Sequence, residues 1–401
     1  MIAPGVRFED IDQGHLRALI ENGVAERRTI EYKRELPGGN DESKREFLAD
    51  VSSFANANGG DLVYGITEDD GVPVAIAPLD ITPDAERLRW EQVIRGGIDP
   101  RTPGLRVREI EVDGGYVLLF RIPRSWTGPH AVTFRGSFRF FSRTSAGKYP
   151  LDVGELRSAF LAGTALGEQI KNFRADRLGP IMAGDEPIPL PPHGKIVVHL
   201  IPLEAFTSQQ PLELGAVEGS GLFTPIFRPG RGVHTRWNID GYLTYDTDRD
   251  ERQVIAYSQL FRNGIFEGVD ATTIQPRDDP NWGGPMVYAN WIEAHLNSGM
   301  ANPLAVLDMI GVQPPLVVTV SIVGARNYLV ISNDPLRETS GGGRHLIDRE
   351  VLMLPDVLVE EYPAAADIPR LMRPIVDAWW QAGGWWGSPD YDADGNWQRP
   401  R

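Results

Sequence analysis

The sequence contains no cysteine, which excludes disulfide bonds, thiolate metal sites and a cysteine nucleophile. This absence fits a reducing compartment, and we expect a cytoplasmic protein. No apolar run approaches the roughly 18 residues of a membrane-spanning helix, and the first residues, MIAPGVRFED, lack the pattern of a signal peptide. The 401 residues are 41% hydrophobic and 24% charged, which indicates a globular chain of two or three domains.

Basic residues are in deficit. Forty Lys and Arg stand against 55 Asp and Glu, and the resulting net charge of -15 argues at first against a nucleic-acid partner. The deficit is uneven, because residues 1–180 carry a net charge of -3 and residues 181–401 carry -12. Residues 121–148 contain six basic residues and no acidic residue. Since charges are screened over about 8 to 10 Å at physiological salt, we expect this segment to act as a local basic patch.

Hydrophobic periodicity predicts an α+β domain over residues 1–165. The pattern predicts helices at 12–22, 41–57 and 152–163, strands at 29–34, 62–66 and 138–143, a turn at 68–71, and a hairpin of 107–112 with 116–122.

The second half of the chain predicts another α+β domain over residues 195–375. Residues 166–194 end in the proline-rich EPIPLPPHG and are assigned to a linker. Expected elements are strands at 195–201, 240–245 and 315–331 and a helical pattern between Val287 and Ile310. Residues 376–401 form a tail with five of the ten tryptophans, which we expect to pack against a neighbouring surface. No motif in this half indicates a chemistry.

Three glutamates and a lysine of the first domain form the candidate site. On the strand at 29–34, Glu31 and Lys33 share one face, which is the arrangement of a surface ion pair or of a metal-dependent nuclease. Glu26 precedes this strand, and Glu68 is expected at the end of the strand that follows Asn58-Gly59-Gly60. Carboxylates brought together repel one another unless a cation joins them, and Mg²⁺ or Mn²⁺ suits oxygen ligands.

The order of these motifs resembles the AlbA-type nucleic-acid-binding domain of the Schlafen family. The resemblance rests on EYKREL, FANANGGDLVYGITEDDG, SWTGPH and RFFSR, which lie within about the first 165 residues. It implies an N-terminal mixed sheet with helices, followed here by a second α+β domain. In catalytic Schlafens three acidic residues form a metal-dependent ribonuclease centre that cleaves transfer and ribosomal RNA. The matching positions here are Glu26, Glu31 and Glu68, with Asp69 and Asp70 as neighbouring alternatives to the third.

The resemblance therefore implies that the three glutamates bind Mg²⁺ or Mn²⁺ and that Lys33 stabilises developing negative charge. It also suggests an antiphage effector, a homodimer that clamps RNA, and a trigger sensed by the second domain. The competing interpretation is a nucleic-acid-binding transcriptional regulator that does not cut.

The basic patch supplies the predicted contacts to RNA, with transfer RNA as the expected substrate. Its cations are interleaved with Trp126, Phe138, Phe140 and Phe141, and such mixtures hold phosphates and stack bases. Strand alternation also sends some of these rings into the core. The predicted nucleic-acid-binding residues are Arg121, Arg124, Arg135, Arg139, Arg143 and Lys148.

Overall fold

The protein was analysed as a computed structural model. The structure describes residues 2, 6, 8–206, 212–228, 234–250, 252–276, 278–279, 284–333, 345–392 and 394–398. The chain divides into two compact units, Met1–Glu168 and Gln169–Arg401, and both combine helices with sheets. The fold class is therefore α+β.

The first unit contains helices α1 (Gln13–Glu21), α2 (Asp41–Ala55), α3 (Pro83–Gly97) and the first half of α4 (Val153–Ala183). Its strands are β1 (Ile30–Lys33), β2 (Gly60–Tyr64), β3 (Ile66–Asp69), β4 (Val72–Ile76), β5 (Ile98–Asp99), β6 (Arg106–Val112), β7 (Gly115–Ile122), β8 (Ala131–Val132), β9 (Arg139–Thr144) and β10 (Gly147–Pro150).

Local sequence explains where the first helices begin. The Asp12 carboxylate accepts the His15 backbone N–H at the start of α1, and the Asn40 side chain accepts the Ser43 N–H at the start of α2. These caps satisfy donors that a helix leaves unpaired in its first turn. The predicted helices at 12–22 and 41–57 are confirmed, as are the strand at 29–34 and the hairpin now formed by β6 and β7.

The main sheet of the first unit is mixed and places β1 at its edge. Its strand order is β1-β2-β7-β6, with β1 parallel to β2 and the other neighbours antiparallel. One face packs against α2 and α3 through residues such as Phe47, Phe54 and Trp90. The opposite face packs against α1 through Leu16 and Leu19. A smaller sheet has the order β10-β9-β8-β5, and β3 pairs with β4 as a separate hairpin.

Several expectations for the first unit require correction. Glu68 lies on β3 and not at the end of β2, the strand that begins at Gly60. The turn between β3 and β4 contains only Asp70 and Gly71 and not all of residues 68–71. Gly65, with a φ of +100°, separates β2 from β3, so the apolar run at 62–66 is shared by two strands. The helix expected at 152–163 extends to Ala183.

The second unit contains the rest of α4 with α5 (Ala289–Gly299), α6 (Ala301–Met309) and α7 (Ile368–Ala382). Its strands are β11 (Lys195–Pro202), β12 (His234–Trp237), β13 (Gly241–Thr247), β14 (Val254–Phe261), β15 (Phe266–Asp270), β16 (Asp278–Asp279), β17 (Gly284–Tyr288), β18 (Leu316–Val323), β19 (Leu329–Ile331), β20 (Val351–Met353) and β21 (Val357–Val359).

An antiparallel sheet organises the second unit, with the order β12-β13-β14-β15-β11-β18-β20 and β21 also paired to β18. A smaller sheet has the order β16-β17-β19. Helices α5, α6 and α7 pack on one face of the larger sheet. Leu178 and Ile181 of α4 pack on the other face, against Val197 and Tyr257.

The expected linker at 166–194 is wrong, because most of it is helix α4 and because Ile188 and Leu190, beyond the helix, are also buried in this core. The helical pattern at 287–310 resolves into two helices, α5 and α6. Residues 376–401 do not form a separate tail throughout, because the first of them belong to α7, where Trp379 and Trp380 are fully buried. Among the described residues, no helix is long and apolar enough to cross a membrane.

Candidate functional site

Strand β1 carries Glu31 and Lys33 on the sheet face covered by α2. Its alternating side chains, Ile30 and Tyr32, point into the core beneath α1. The opposite face brings Glu31 against the Arg143 guanidinium of β9, which in turn lies 3.5 Å from the ring centroid of Phe54. The alternation predicted from the sequence therefore places the Glu-x-Lys pair among charged side chains between β1, α2 and β9.

Both oxygens of Glu31 are engaged by cations. Oε1 lies 2.5 Å from Lys33 Nζ, and Oε2 lies 2.6 Å from Arg143 Nη2. Burial alone would raise the pKa of Glu31, but the two cations outweigh it and hold the pKa below its ordinary value. The Lys33 side chain is 42% exposed, whereas that of Arg143 is 4% exposed. Of these two cations, only Lys33 is accessible to a phosphate from solvent.

Glu26 closes the open edge of the main sheet. Its Oε1 accepts the Tyr32 N–H at 2.7 Å, a donor that points away from β2. Burial raises the pKa of Glu26, the Tyr32 hydrogen bond opposes this effect, and the negative charges of Glu31 and Glu68 reinforce it. Glu26 is therefore close enough to both of the other candidate carboxylates for their charges to raise its pKa.

Gly71 in the β3–β4 turn joins Glu26 to Glu68. Its N–H donates to Glu68 Oε2 at 2.5 Å, and its carbonyl accepts the Glu26 N–H at 2.6 Å. Gly71 adopts a φ of +76°, a conformation that favours glycine. The turn thus holds the exposed Glu68 beside Glu26, although the two residues come from separate parts of the sequence.

Asp50 is a further carboxylate that the sequence analysis missed. It is 2% exposed on α2, and its Oδ1 lies 2.6 Å from Lys148 Nζ. Burial, followed by the negative charge of Glu31, raises the pKa of Asp50 to about 6, while Lys148 opposes the shift. A signal was present, because Asp50 stands between Phe47 and Phe54 on the apolar face of α2.

The donor chemistry of Glu26, Glu31 and Glu68 fits a hard divalent cation, since all three are carboxylates and their mutual repulsion contributes to the raised pKa of Glu26. The positions of these three carboxylates, however, do not form a ready metal site. Within the part of the chain that the structure describes, no group of three or more His, Asp or Glu side chains is gathered to hold a metal ion. An ion bound by Glu31 must replace at least one of its contacts with Lys33 and Arg143.

The predicted basic patch is largely neutralised by acids from other elements. Arg121 is buried, and its Nε and Nη2 donate to Asp61 at 2.8 and 3.0 Å. Arg143 pairs with Glu31, and Lys148 contacts both Asp50 and Glu46. We therefore correct the expectation of six exposed phosphate contacts, because Arg121 and Arg143 are buried partners of carboxylates.

Two cations of the patch are exposed. Arg139 is exposed on β9, and Arg135 is exposed with Nε 3.4 Å from Asp41 Oδ2. The Arg124 guanidinium lies 4.0 Å from the ring centroid of Trp126. A nucleic-acid contact at these residues stays a prediction.

Asn56, at the end of α2, fixes the loop that precedes β8. Its Nδ2 donates to the carbonyls of His130 and Phe141, and its Oδ1 accepts the His130 N–H at 2.7 Å. His130 is itself fully buried, its Nδ1 lies 2.7 Å from the Pro100 carbonyl oxygen, and burial lowers its pKa. The Asn of the FAN segment therefore joins the loop before β8 to β9, the strand that carries Arg139 and Arg143.

Comparison with known proteins assigns a family to part of the first unit. Residues 26–152 match the family model described as Schlafen, AlbA_2. No curated protein matches the chain. The matched segment begins at Glu26 and ends beyond β10, so it contains all the candidate residues described above.

Two solved structures are similar in part. The DIP2311 protein from Corynebacterium diphtheriae is 21% identical with a TM-score of 0.27, over 36% of this chain and 27% of that one. This chain thus spans about a quarter of that protein's length. The N-terminal domain of a putative ATP-dependent DNA helicase RecG-related protein from Nitrosomonas europaea is 23% identical with a TM-score of 0.25, over 32% of this chain and 86% of that one.

The family match defines the class of the first unit: residues 26–152 form a Schlafen AlbA_2 domain. The family points to nucleic-acid binding as the general role of this domain.

Proposed function

We propose that the first unit is a metal-dependent RNA endonuclease domain, with transfer RNA as its substrate. The observation that carries the proposal is the position of Glu26 close to both Glu31 and Glu68, although the described residues do not gather the three carboxylates into a metal site. Glu26 lies at the centre, beside β1 with Glu31 and tethered through Gly71 to Glu68. Like charges held together in this way are offset by a divalent cation.

In this proposal Glu26, Glu31 and Glu68 hold one or two Mg²⁺ or Mn²⁺ ions. A bound ion of this kind polarises a phosphate oxygen and lowers the pKa of water. Arg143 orients Glu31 from the buried side, through its 2.6 Å contact to Oε2. Lys33 faces solvent, and on release from Glu31 its ammonium group stabilises negative charge on the phosphate.

The test compares full-length protein with total transfer RNA in Mn²⁺, in Mg²⁺ and in chelator. We expect metal-dependent fragments that disappear in Glu31→Gln and persist in the matched control Glu111→Gln, an exposed glutamate of β6. Because Glu31→Gln also removes a partner of buried Arg143, Glu68→Gln provides a second variant with little effect on the core. Full activity in the triple variant Glu26→Gln, Glu31→Gln, Glu68→Gln would contradict the proposal.

The second candidate is a nucleic-acid-binding regulator that does not cut. It is favoured by the engagement of both Glu31 oxygens with Lys33 and Arg143, an arrangement that stabilises the site without a metal. Binding of RNA with no fragments in either metal would support this alternative. Calorimetric titration with Mn²⁺ separates the two, since the regulator needs no stoichiometric ion at these carboxylates.

For the whole chain we propose a cytoplasmic antiphage effector in which the second unit senses a protein or ligand trigger and a homodimer clamps the RNA. The support is a second unit with its own core and most of the negative charge, which disfavours RNA contact there. A mass of only 44.4 kDa in solution at working concentration would contradict the dimer.

A further inference from the structure

An exposed row of aromatic rings lies on the first unit outside the carboxylate site. Phe138 is 68% exposed and Phe160 is 59% exposed, although such large apolar side chains are usually covered. The half-buried Phe140 ring stands between them, with centroids 5.5 Å from Phe138 and 5.9 Å from Phe160. The row joins β9 to α4 through the contact of Phe140 with Phe160.

We propose that this row, Phe138, Phe140 and Phe160, is a stacking platform for unpaired bases of single-stranded nucleic acid. This inference rests on the proposed nucleic-acid function, and it specifies the bound substrate as nucleic acid with unpaired bases. Every base has an aromatic face, so stacking on Phe is possible for any sequence, but only where the bases are not already paired. The two outer rings lie at most about 11 Å apart, which spans roughly three nucleotides at about 3.4 Å each.

The geometry of the rings favours a preformed surface. Interplanar angles of 89° and 74° are the edge-to-face arrangement that stabilises aromatic pairs. Phe140 therefore restrains both of its neighbours, and less side-chain entropy is lost when a base binds. The faces of the outer rings that are exposed are the surfaces on which a base stacks.

The charge around the row fits a polyanion. Arg139 is exposed and adjoins Phe138 in sequence, although strand alternation points its side chain to the face opposite to Phe138 and Phe140, and the exposed Arg135 lies three residues before Phe138. The contact of Arg135 with Asp41 is solvent-exposed, so it is weak and can be exchanged for a phosphate. A strand with its bases on the rings thus has cations available for its backbone.

A second copy of the chain is the competing occupant, and the same charges argue against it. A twofold interface that covers the row would bring the same two cations, Arg135 and Arg139, from each copy into one contact region. Such like-charge contacts are unfavourable in a desolvated interface. A single strand of nucleic acid meets the row without this repulsion.

The test measures binding of full-length protein to a labelled single-stranded RNA of about 12 nucleotides in chelator, which prevents cleavage. We expect Phe138→Ala and Phe160→Ala each to weaken binding by about 5-fold to about 100-fold. A matched control is Leu88→Ala on α3, an apolar side chain of the same unit that is 54% exposed. It should leave the affinity unchanged.

An abasic oligonucleotide of the same length separates stacking from charge. The Phe variants should bind it as the wild type does, and the slope of log affinity against log salt should be unchanged in them. Arg139→Gln, in contrast, should reduce that slope by about 0.7.

Four outcomes would overturn the platform. Equal losses on the abasic strand would mean that the rings do not stack on bases, and unchanged affinity for RNA would remove the platform while leaving the proposed function intact. A change in solution mass in Phe138→Ala would identify a contact between copies. Absence of any binding by the wild type would contradict both proposals. Binding in chelator that depends on the rings, together with no cleavage in Mn²⁺ or Mg²⁺, would support the platform and contradict the nuclease.

Discussion

Replacing Arg121 by Met removes one half of a buried ion pair and leaves Asp61 charged inside the first unit. Asp61 is fully buried and receives two N–H bonds from Arg121 at 2.8 and 3.0 Å. It also accepts the Ile2 N–H at 2.6 Å. Breaking a buried pair by removing one partner costs about 3–5 kcal/mol, because the other charge is left uncompensated. That loss is a large part of a typical domain stability of about 5–15 kcal/mol.

Urea unfolding followed by circular dichroism measures this effect. With a dependence of about 1–3 kcal/mol per molar urea, the midpoint for the first unit should fall by roughly 2 M in Arg121→Met. The double variant Asp61→Leu, Arg121→Met should recover much of this loss, since it leaves no unpaired charge in the core.

The same variant distinguishes a structural arginine from a phosphate-binding one. If the ion pair with Asp61 is the role of Arg121, the salt dependence of RNA binding by the folded variant should match the wild type. Unchanged unfolding together with a salt slope reduced by about 0.7 would refute the reasoning, because it would mean that Arg121 releases a counterion from the nucleic acid.

Three further predictions concern the wild-type site and its supports. With Arg135 and Arg139 exposed, log RNA affinity should fall against log salt with a slope of about -1.4, where six contacts would give about -4. The pKa of Asp50 is 3.8 in the unfolded chain and about 6 in the folded protein. Between these values the native state binds more protons than the unfolded state, so the free energy of unfolding should fall by about 3 kcal/mol as pH rises from 4 to 6. Gly71→Ala should cost about 1–2 kcal/mol of unfolding free energy, because its φ is +76°.

Each of these has a matched comparison. Arg139→Gln should lower the salt slope, and a wild-type slope near -4 would mean that the buried cations also reach the RNA. Asp50→Asn should remove the fall in stability between pH 4 and pH 6, so an equal fall in this variant would assign it to other groups. Gly96→Ala in α3, where an added Cβ meets nothing within 4 Å, should not lose stability. An equal loss there would remove the backbone explanation.

The sequence was sufficient for α1, α2, β1 and the β6–β7 hairpin, and for the face on which Glu31 and Lys33 lie. Two-residue alternation and helix caps are encoded by neighbouring residues, and the predicted alternation of β1 was confirmed in the structure. The partners of the cations were not predictable in the same way. Asp61 and Arg121 are 60 residues apart, and Lys148 and Asp50 are 98 apart, so a count of charge within 121–148 could not include the acids that neutralise it.

Helix α4 shows a different reason for error. Its apolar residues Leu166, Ile170, Leu178 and Ile181 follow helical spacing, but the polar residues between them and the proline-rich EPIPLPPHG that follows suggested a linker. Pro180 falls in the last turn of the helix, where the remaining helix is short. Burial against Val197 and Tyr257 stabilises the segment, and that contact depends on strands which come later in the chain.

Helix α7 has a consequence for the order in which the second unit is completed. It begins at Ile368, far along the chain from β11 at Lys195, yet its Trp379 and Trp380 are fully buried beside α5 in the core over the same sheet. Contacts between such distant segments form slowly, because a long loop must close first. Until α7 has been synthesised, one apolar face of the sheet lacks part of its cover, so the nascent second unit should need protection from aggregation.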